Sequence, residues 1–165
     1  MKSVYLCGFM GCGKSTIGKI LARKNGCGFV DMDDYIVERE GMTIPQIFAE
    51  KGEQYFRDTE TEVIRELSEK SAVIACGGGA MLKKVNSEIA MENGVVVYID
   101  IPFEACYERI SGDTNRPLVM NNSKEQLEGI YNSRVPVYRD NSTVTVDGTG
   151  SAEEIAARIA EAIRY

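Results

Sequence analysis

Residues Gly8–Ser15, of sequence GFMGCGKS, match the phosphate-binding loop pattern G-x-x-x-x-G-K-[ST] at every fixed position. The loop follows Ser3–Cys7, a short apolar run that is typical of a buried strand. It precedes Ser15–Lys24, in which apolar residues recur at helical spacing. The alternative is a chance glycine turn before a helix. Such a turn would not explain why the complete motif is present and why a strand precedes it. The stretch therefore predicts an α/β fold whose first loop binds the phosphates of a nucleoside triphosphate.

The residue types in this loop suit phosphate binding. Gly11 and Gly13 let the backbone turn its N–H groups towards an anion. The start of the following helix adds the positive end of its dipole. We expect Lys14 to bring a mobile cation to the β- and γ-phosphates, and the Ser15 hydroxyl to ligate Mg²⁺.

Strand and helix patterns alternate along the rest of the chain. Four further apolar strands are predicted at Gly28–Met32, Ala72–Cys76, Gly94–Asp100 and Thr143–Val146. Helices are predicted over residues 34–39, 44–51, 54–69, 102–110 and 123–138, and after Ser151, which begins a capping box. Apolar strands separated by helices indicate a five-stranded parallel sheet with helices on both faces. Ligands of such sheets bind beyond the carboxyl ends of the strands.

Residues 111–122 interrupt this alternation. The segment is polar, contains Gly112 and Pro117 and lacks hydrophobic periodicity, which predicts a mobile loop. It carries Arg116, and phosphoryl transfer uses a cation on a flexible loop above the phosphates. In the helix that follows, we expect Pro136 to end or bend the helix.

The overall composition narrows the function further. A length of 165 residues predicts a single domain over 1–165, and the net charge of −6 argues against a nucleic-acid or anionic-membrane surface. No apolar run is long enough to span a bilayer. Histidine is absent and the five cysteines are scattered without a C-x-x-C pair, so we expect neither a zinc site nor a disulfide framework. Free thiols are typical of a reducing compartment, and we expect a cytoplasmic monomer.

Two acidic residues and one arginine have alternative interpretations. Asp31 and Asp33 are two residues apart, so in a strand both carboxylates share one face, where one could hold Mg²⁺ through water and the other a substrate hydroxyl. Equally, Asp33 or Asp34 could cap the next helix. Arg57 could be an ordinary surface arginine, with Glu60 three residues on as its partner.

Gly77–Gly79 ends a predicted strand with three glycines in a row. One glycine suffices for a turn, whereas three let a ligand approach the backbone N–H groups. A tight strand-to-helix connection is the alternative. Arg109 and Arg134, in the second half of the chain, have no distinctive context by themselves.

The order and spacing of these segments resemble those of the shikimate kinases over essentially the whole chain. The shared segments are GFMGCGKSTIG from Gly8, DMD from Asp31, GEQYFRDTE from Gly52, the triplet Gly77–Gly79, RPL from Arg116 and RVPVY from Arg134. The phosphate loop by itself indicates only a superfamily. The triplet, the F-R-x-x-E segment and the two late arginine segments together are specific.

The resemblance implies a P-loop, nucleoside-monophosphate-kinase-like fold. It implies a mobile lid at about residues 111–122 and a substrate-binding helical segment at about residues 33–61. The implied reaction transfers the γ-phosphoryl group of ATP to the 3-hydroxyl of shikimate, giving shikimate 3-phosphate and ADP, in chorismate and aromatic amino acid biosynthesis. Mg²⁺ is the implied cofactor, and no nucleic-acid or membrane partner is implied.

The resemblance also implies roles for individual residues. Those on the ATP side are Gly11, Cys12, Gly13, Lys14, Ser15, Thr16, Arg109 and Arg116, with Arg109 against the adenine and Arg116 closing onto the phosphates. Ser15 ligates Mg²⁺, and Asp31 holds it through water. Those on the acceptor side are Asp33, Arg57, Gly77, Gly78, Gly79 and Arg134, with the two arginines on the substrate carboxylate. Lys14, Asp33 and Arg116 are the implied catalytic residues, and Asp33 is the candidate base.

Two other functions share part of this pattern. A kinase for another small hydroxylated acid, such as gluconate, or for a nucleoside monophosphate would have the same loop and lid. It would not require two arginines facing a carboxylate beside a glycine triplet. A GTP-dependent switch needs an N-K-x-D motif to read guanine, which the sequence lacks.

Overall fold

Five parallel strands form one sheet at the centre of the molecule. The computed structural model describes residues 2–113 and 116–164. The strands are β1 (Ser3–Cys7), β2 (Gly28–Asp31), β3 (Ala72–Ala75), β4 (Gly94–Asp100) and β5 (Val144–Asp147), and their order is β2-β3-β1-β4-β5. Leu6 of β1 lies opposite Ala75 of β3 on one side and Val97 of β4 on the other. The predicted five-stranded parallel sheet is therefore confirmed, with β1 in its middle.

Helices cover both faces of the sheet, as predicted. They are α1 (Lys14–Asn25), α2 (Met32–Glu40), α3 (Ile44–Lys51), α4 (Glu53–Ser68), α5 (Lys84–Asn93), α6 (Phe103–Ile110), α7 (Pro117–Asn121), α8 (Lys124–Asp140) and α9 (Ala152–Ala162). A 3₁₀ turn spans Ala80–Leu82. α1 packs against α9, and α4 packs against α5. In the described ranges, no helix has both the length and the apolar character that crossing a membrane requires.

The packing of β1 with β3 positions the functional loops. All five residues of β1 are buried, and so are all four of β3. The pairing continues one step beyond β3, because the Cys76 N–H donates to the Leu6 carbonyl at 2.9 Å. The phosphate loop leaves β1 and the glycine triplet leaves β3 immediately afterwards. The two loops therefore begin side by side at the carboxyl edge of the sheet.

Parts of the second half of the chain differ from the predictions. α5 lies where the sequence pattern predicts no element, and residues 111–122 contain the short helix α7 rather than loop alone. Thr114 and Asn115 of that segment lie outside the described residues. α8 continues through Pro136 to Asp140, so the proline does not end the helix.

Tertiary contacts beyond the proline explain why α8 continues. Tyr138 is fully buried, its ring stacks on that of Tyr98 with centroids 5.3 Å apart, and its hydroxyl donates to the Gly78 carbonyl. These contacts hold the last helical residues in place and offset the loss of the hydrogen bond that Pro136 cannot donate.

A close approach between α1 and β2 generates a prediction about stability. A Cβ on Gly18 would lie 2.5 Å from Cε2 of Phe29. We expect Gly18→Ala to lower the free energy of unfolding by about 1–3 kcal/mol, because it overpacks this contact. Urea unfolding followed by circular dichroism measures the change.

Gly129 in α8 provides the matched control. A Cβ there meets nothing within 4 Å. In a helix interior, alanine is more stable than glycine by about 0.5–1 kcal/mol of folding free energy. Gly129→Ala should therefore stabilise the protein. Equal stabilisation by both substitutions would contradict the argument for Gly18.

Candidate active site

The phosphate loop Gly8–Ser15 connects β1 to α1 through glycine conformations. Gly11 and Gly13 have φ angles of 79° and 88°, in the left-handed region. Gly11 is also tightly packed, since a Cβ there would lie 2.6 Å from the Cys106 carbonyl oxygen. α1 begins at Lys14, with Gly13 as its N-cap and no acidic side chain in its first turn. The loop therefore presents backbone N–H groups and the positive end of a helix dipole, a combination that binds anions.

The Lys14 side chain folds back onto the phosphate loop. Its ammonium donates to the carbonyls of Gly8 and Phe9, at 2.8 and 3.2 Å, and lies 3.6 Å from the Cys12 sulfur. The Cys12 side chain is buried. A contribution of Cys12 to ligand binding would therefore come from its backbone.

A cavity of about 240 Å³ adjoins the phosphate loop, and we call it the loop cavity. Of the residues predicted on the ATP and metal side, it is lined by Gly11, Gly13, Lys14, Ser15, Thr16, Asp31, Arg109 and Arg116. The structure thus brings together residues from both halves of the chain at the start of α1.

Ser15 and Asp31 form the polar floor of the loop cavity. The Ser15 hydroxyl donates to Oδ2 of Asp31 at 2.5 Å, while Oδ1 of Asp31 accepts from the Asp34 N–H at 3.1 Å. Asp31 is therefore the N-cap of α2, so the expectation that Asp33 or Asp34 caps this helix is wrong. Asp33 lies inside the first turn of α2, and the strand spacing invoked for the two carboxylates does not apply. Both aspartates nevertheless line the loop cavity.

Two arginines approach the loop cavity from the α6 side. Arg109 donates through Nη1 to the Gly11 carbonyl at 3.0 Å. Arg116 donates through Nε to Oδ2 of Asp113 at 2.8 Å. The donating Nε lies on one edge of the Arg116 guanidinium, and Arg116 lines the cavity.

A second cavity, of about 70 Å³, lies beside the first. Its polar lining comprises Asp33, Arg57, Glu60, Gly77, Gly78, Gly79, Arg116 and Arg134, and its apolar lining comprises Met10, Ile44, Phe48, Phe56, Pro117 and Leu118. Asp33, Gly78 and Arg116 line both cavities. Molecules in the two cavities would therefore lie side by side and share contacts with the Asp33 and Arg116 side chains.

Two arginines from separate helices converge on the glycine triplet. A Cβ on Gly79 would lie 2.8 Å from Cζ of Arg57, so this guanidinium occupies the space that a side chain would need. A Cβ on Gly78 would lie 3.8 Å from Nη1 of Arg134. Two guanidinium groups and a side-chain-free backbone form a site that suits a carboxylate.

The groups around Asp33 act on its pKa in opposite directions. Burial and the neighbouring Asp31 carboxylate raise the pKa of Asp33, while Lys14 and Arg116 act in the opposite direction. A raised pKa brings an aspartate closer to the range in which it accepts a proton effectively.

The structure adds residues that the sequence did not single out. The apolar lining of the second cavity comes from Met10 of the phosphate loop and from α3, α4 and α7. Tyr138 reaches Gly78 from α8. Glu60, expected only as a partner of Arg57, accepts from Arg57 Nη1 at 2.7 Å and also faces the cavity. The i,i+3 spacing predicted that pair, whereas nothing local in the sequence predicted the burial of Glu60.

Comparison with known families gives a match over almost the whole chain. The family described as shikimate kinase matches residues 10–164. The shikimate kinase of Persephonella marina is 46% identical over 139 residues, covering 84% of this chain and 84% of the relative. The shikimate kinase of Geobacter sulfurreducens is 43% identical over 166 residues, covering 99% of this chain and 91% of the relative.

Solved structures give the same result. The shikimate kinase of Acinetobacter baumannii in complex with shikimate superposes with a TM-score of 0.93 at 38% sequence identity. The match covers 99% of this chain and 93% of that one. The P-loop, nucleoside-monophosphate-kinase-like fold is therefore confirmed.

The packing of Gly11 generates a prediction about nucleotide binding. We expect Gly11→Ala to weaken ATP binding at least about tenfold, a loss of about 1.4 kcal/mol, because the new methyl group would push the loop away from Cys106. Calorimetric titration with ATP measures the dissociation constant.

Gly26→Ala is the matched control for Gly11→Ala. Gly26 also has a positive φ, of 64°, but a Cβ there meets nothing within 4 Å. Both substitutions carry a similar backbone strain of about 1–2 kcal/mol, and only the one in the loop should alter ATP affinity. Equal affinities of the two variants would show that the close packing of Gly11 does not matter for binding.

Proposed function

The chain belongs to the shikimate kinase family, and we propose that its loop cavity binds ATP while its second cavity binds shikimate. The chain is a kinase, a phosphotransferase with an alcohol group as acceptor, and acts in chorismate and aromatic amino acid biosynthesis. The reaction yields shikimate 3-phosphate and ADP. The observation that carries the proposal is the wall common to the two cavities, since Asp33, Gly78 and Arg116 line both.

The nucleotide side is built around the phosphate loop. Lys14 lines the loop cavity and has its ammonium at the loop, which supports a role on the β- and γ-phosphates. The N–H groups around Gly11 and Gly13 hold the phosphates, together with the backbone at Cys12 and Thr16. Arg109, fixed to the Gly11 carbonyl, lies against the adenine. Neutralising phosphate charge and fixing its position supply most of the catalysis in phosphoryl transfer.

Ser15 and Asp31 fit a magnesium ion. They bring a hydroxyl and a carboxylate together at the start of α1, and hard oxygen ligands are those that Mg²⁺ prefers. We propose that Ser15 ligates the ion and that Asp31 holds it through water. When bound, Mg²⁺ neutralises charge on the β- and γ-phosphate oxygens.

The acceptor side is built around the glycine triplet. Arg57 and Arg134 flank Gly79 and Gly78, which supports binding of the shikimate carboxylate by two guanidinium groups and the triplet backbone, including Gly77. The apolar lining suits the faces of a carbon ring.

Asp33 holds the reacting hydroxyl. Its carboxylate lines both cavities, so it accepts a hydrogen bond from the 3-hydroxyl while the oxygen lone pair is aimed at the γ-phosphorus. The raised pKa of Asp33 supports its role as the base that takes the hydroxyl proton. Positioning of the nucleophile is the larger effect.

The segment 111–122 acts as a lid, and residues 33–61 form the substrate-binding helical segment. α7 packs against α3, and Pro117 and Leu118 contribute to the second cavity. Closure of the lid brings Arg116 onto the transferring phosphate and excludes water, which competes as a phosphoryl acceptor. We propose that this single domain, residues 1–165, works as a monomer in the cytoplasm, with no nucleic-acid or membrane partner.

The test is a comparison of acceptors with the purified full chain. Formation of ADP is followed with ATP and Mg²⁺ and with shikimate, gluconate or a nucleoside monophosphate, and the product is identified by phosphorus NMR. We expect turnover with shikimate and phosphorylation at the 3-hydroxyl. Turnover with a nucleotide and none with shikimate would refute the proposal.

Arg57 should matter for the acceptor and not for ATP. We expect Arg57→Ala to raise the KM for shikimate by about 10–100-fold, since a hydrogen bond to a charged group contributes about 1.5–3 kcal/mol. The KM for ATP should stay within about twofold of wild type. Arg65→Ala, at an exposed position of the same helix, should leave both constants unchanged. An unchanged KM for shikimate in Arg57→Ala would contradict the role assigned to Arg57.

Arg116 should act mainly in the transition state. We expect Arg116→Ala to lower kcat by about 10²–10³-fold, the usual loss when one charge-stabilising donor is removed. The dissociation constant for ATP should change by no more than about threefold. Arg116→Lys keeps the charge without the planar fork and should recover part of the rate. Equal losses in kcat and in ATP affinity would contradict a role confined to the transition state.

A further inference from the structure

Glu60 is a buried carboxylate with one oxygen unsatisfied. Its exposed fraction is 1%. Oε1 accepts a hydrogen bond from Arg57 Nη1 at 2.7 Å. Oε2 is buried and has no hydrogen-bond partner in the described part of the chain. A buried polar atom without a partner costs about 1–3 kcal/mol, so this half of the carboxylate calls for an explanation.

Oε2 of Glu60 faces a second carboxylate across the glycine triplet. A Cβ on Gly77 would lie 3.0 Å from Oε2 of Glu60 and 2.8 Å from Oδ1 of Asp33. Because Gly77 has no side chain, both carboxylates face the same small space beside the second cavity. Two like charges in such a space destabilise one another.

The other charged and titratable groups near Glu60 come from three further elements. Arg57 lies on its own helix, α4, and Arg134 approaches from α8; both favour the ionised carboxylate. Asp33 of α2 disfavours it. Cys76, at the end of β3, is a buried thiol whose raised pKa keeps it neutral. Two cations therefore face two carboxylates before any acid binds.

Binding of an acid upsets this balance. On the proposed function, the carboxylate of shikimate binds to Arg57 and Arg134, which adds a third negative charge to the same two guanidinium groups. The N–H groups of Arg57 then donate both to the substrate carboxylate and to Glu60. In a buried site an excess negative charge is expensive, and the more deeply buried carboxylate is the one that neutralises. Glu60 is 1% exposed with Oε2 unpartnered, whereas Asp33 is only partly buried and lines both cavities.

We propose that Glu60 takes up one proton from solvent, at Oε2, when shikimate binds to Arg57 and Arg134. This inference rests on the proposed function. The proton turns Oε2 from an unsatisfied acceptor into a donor that faces Asp33. Asp33 keeps its negative charge and remains able to accept a hydrogen bond from the reacting hydroxyl.

The titration range of Glu60 is consistent with this inference. Burial raises the pKa of Glu60 to about 7, with Arg57 opposing the shift and Asp33 adding to it. A group that is protonated in the complex and largely ionised in the free protein favours binding at low pH. The affinity for shikimate should therefore fall as the pH rises above about 7, by at most about tenfold per pH unit.

Calorimetry of shikimate binding counts the proton. Shikimate is titrated into the full chain at about pH 8 in HEPES and in Tris, whose heats of ionisation differ, so the buffer dependence of the measured heat gives the number of protons taken up. We expect between about half and one proton per shikimate bound in the wild type. At about pH 6 the uptake should largely vanish, because Glu60 is then protonated before binding.

Glu60→Gln and Glu53→Gln form the matched pair of variants. Both positions contact Arg57, but the Glu53 side chain is 68% exposed and lies 3.6 Å from Arg57 Nε. Glu60→Gln should bind shikimate with no proton uptake, whereas Glu53→Gln should take up as much as the wild type.

Three other outcomes would contradict the proton uptake by Glu60, and a fourth would contradict the proposed function. Clear binding heat in the wild type without buffer dependence overturns the proton uptake, whether or not Glu60→Gln folds. Uptake that persists in Glu60→Gln assigns the proton to another group and overturns the role of Glu60. Uptake as large at about pH 6 as at about pH 8 overturns it as well. The absence of any binding heat would instead overturn the proposed function and, with it, this inference.

Discussion

The hydrogen-bonded pairing of β1 with β3 is the constraint on which the whole site depends. Leu6 lies opposite Ala75, and the Cys76 N–H extends the ladder to the last residue before the triplet. Because both strands run in the same direction, their two glycine-rich loops begin at the same, carboxyl edge of the sheet. The spacing of neighbouring strands thus sets the separation of the two cavities. Side chains from α2, α4, α8 and the lid line these cavities, but the backbone of the two loops determines where the cavities lie.

Burial gives the charges at this edge their strength. Arg57 and Glu60 share a partly buried ion pair, and Asp33 sits between the cavities with Lys14 and Arg116 acting on it. In a medium of low polarity such groups interact strongly and respond to each added charge. The site therefore has both the donors to bind anionic ligands and acidic groups whose protonation depends on what is bound.

The sequence predicted the features that local chemistry determines. The phosphate loop, the five strands and the Ser151 capping box depend on neighbouring residues, and each is present. α5 could not be predicted from hydrophobic periodicity, because its buried face includes Asn86 and Ser87. Asn86 donates to the Ala80 carbonyl, and Ser87 donates to the Asn141 carbonyl. Polar residues with distant partners look like surface residues in a sequence, and the same reason concealed the burial of Glu60.

The close contact between Arg57 and Gly79 has an evolutionary consequence. The guanidinium lies in the space above Gly79, so a side chain at position 79 would have to displace the end of the arginine. Because that end is flexible, such a side chain would move the guanidinium away from the triplet and would not prevent folding. Selection on residue 79 therefore acts through the acceptor site and hardly at all through the stability of the fold.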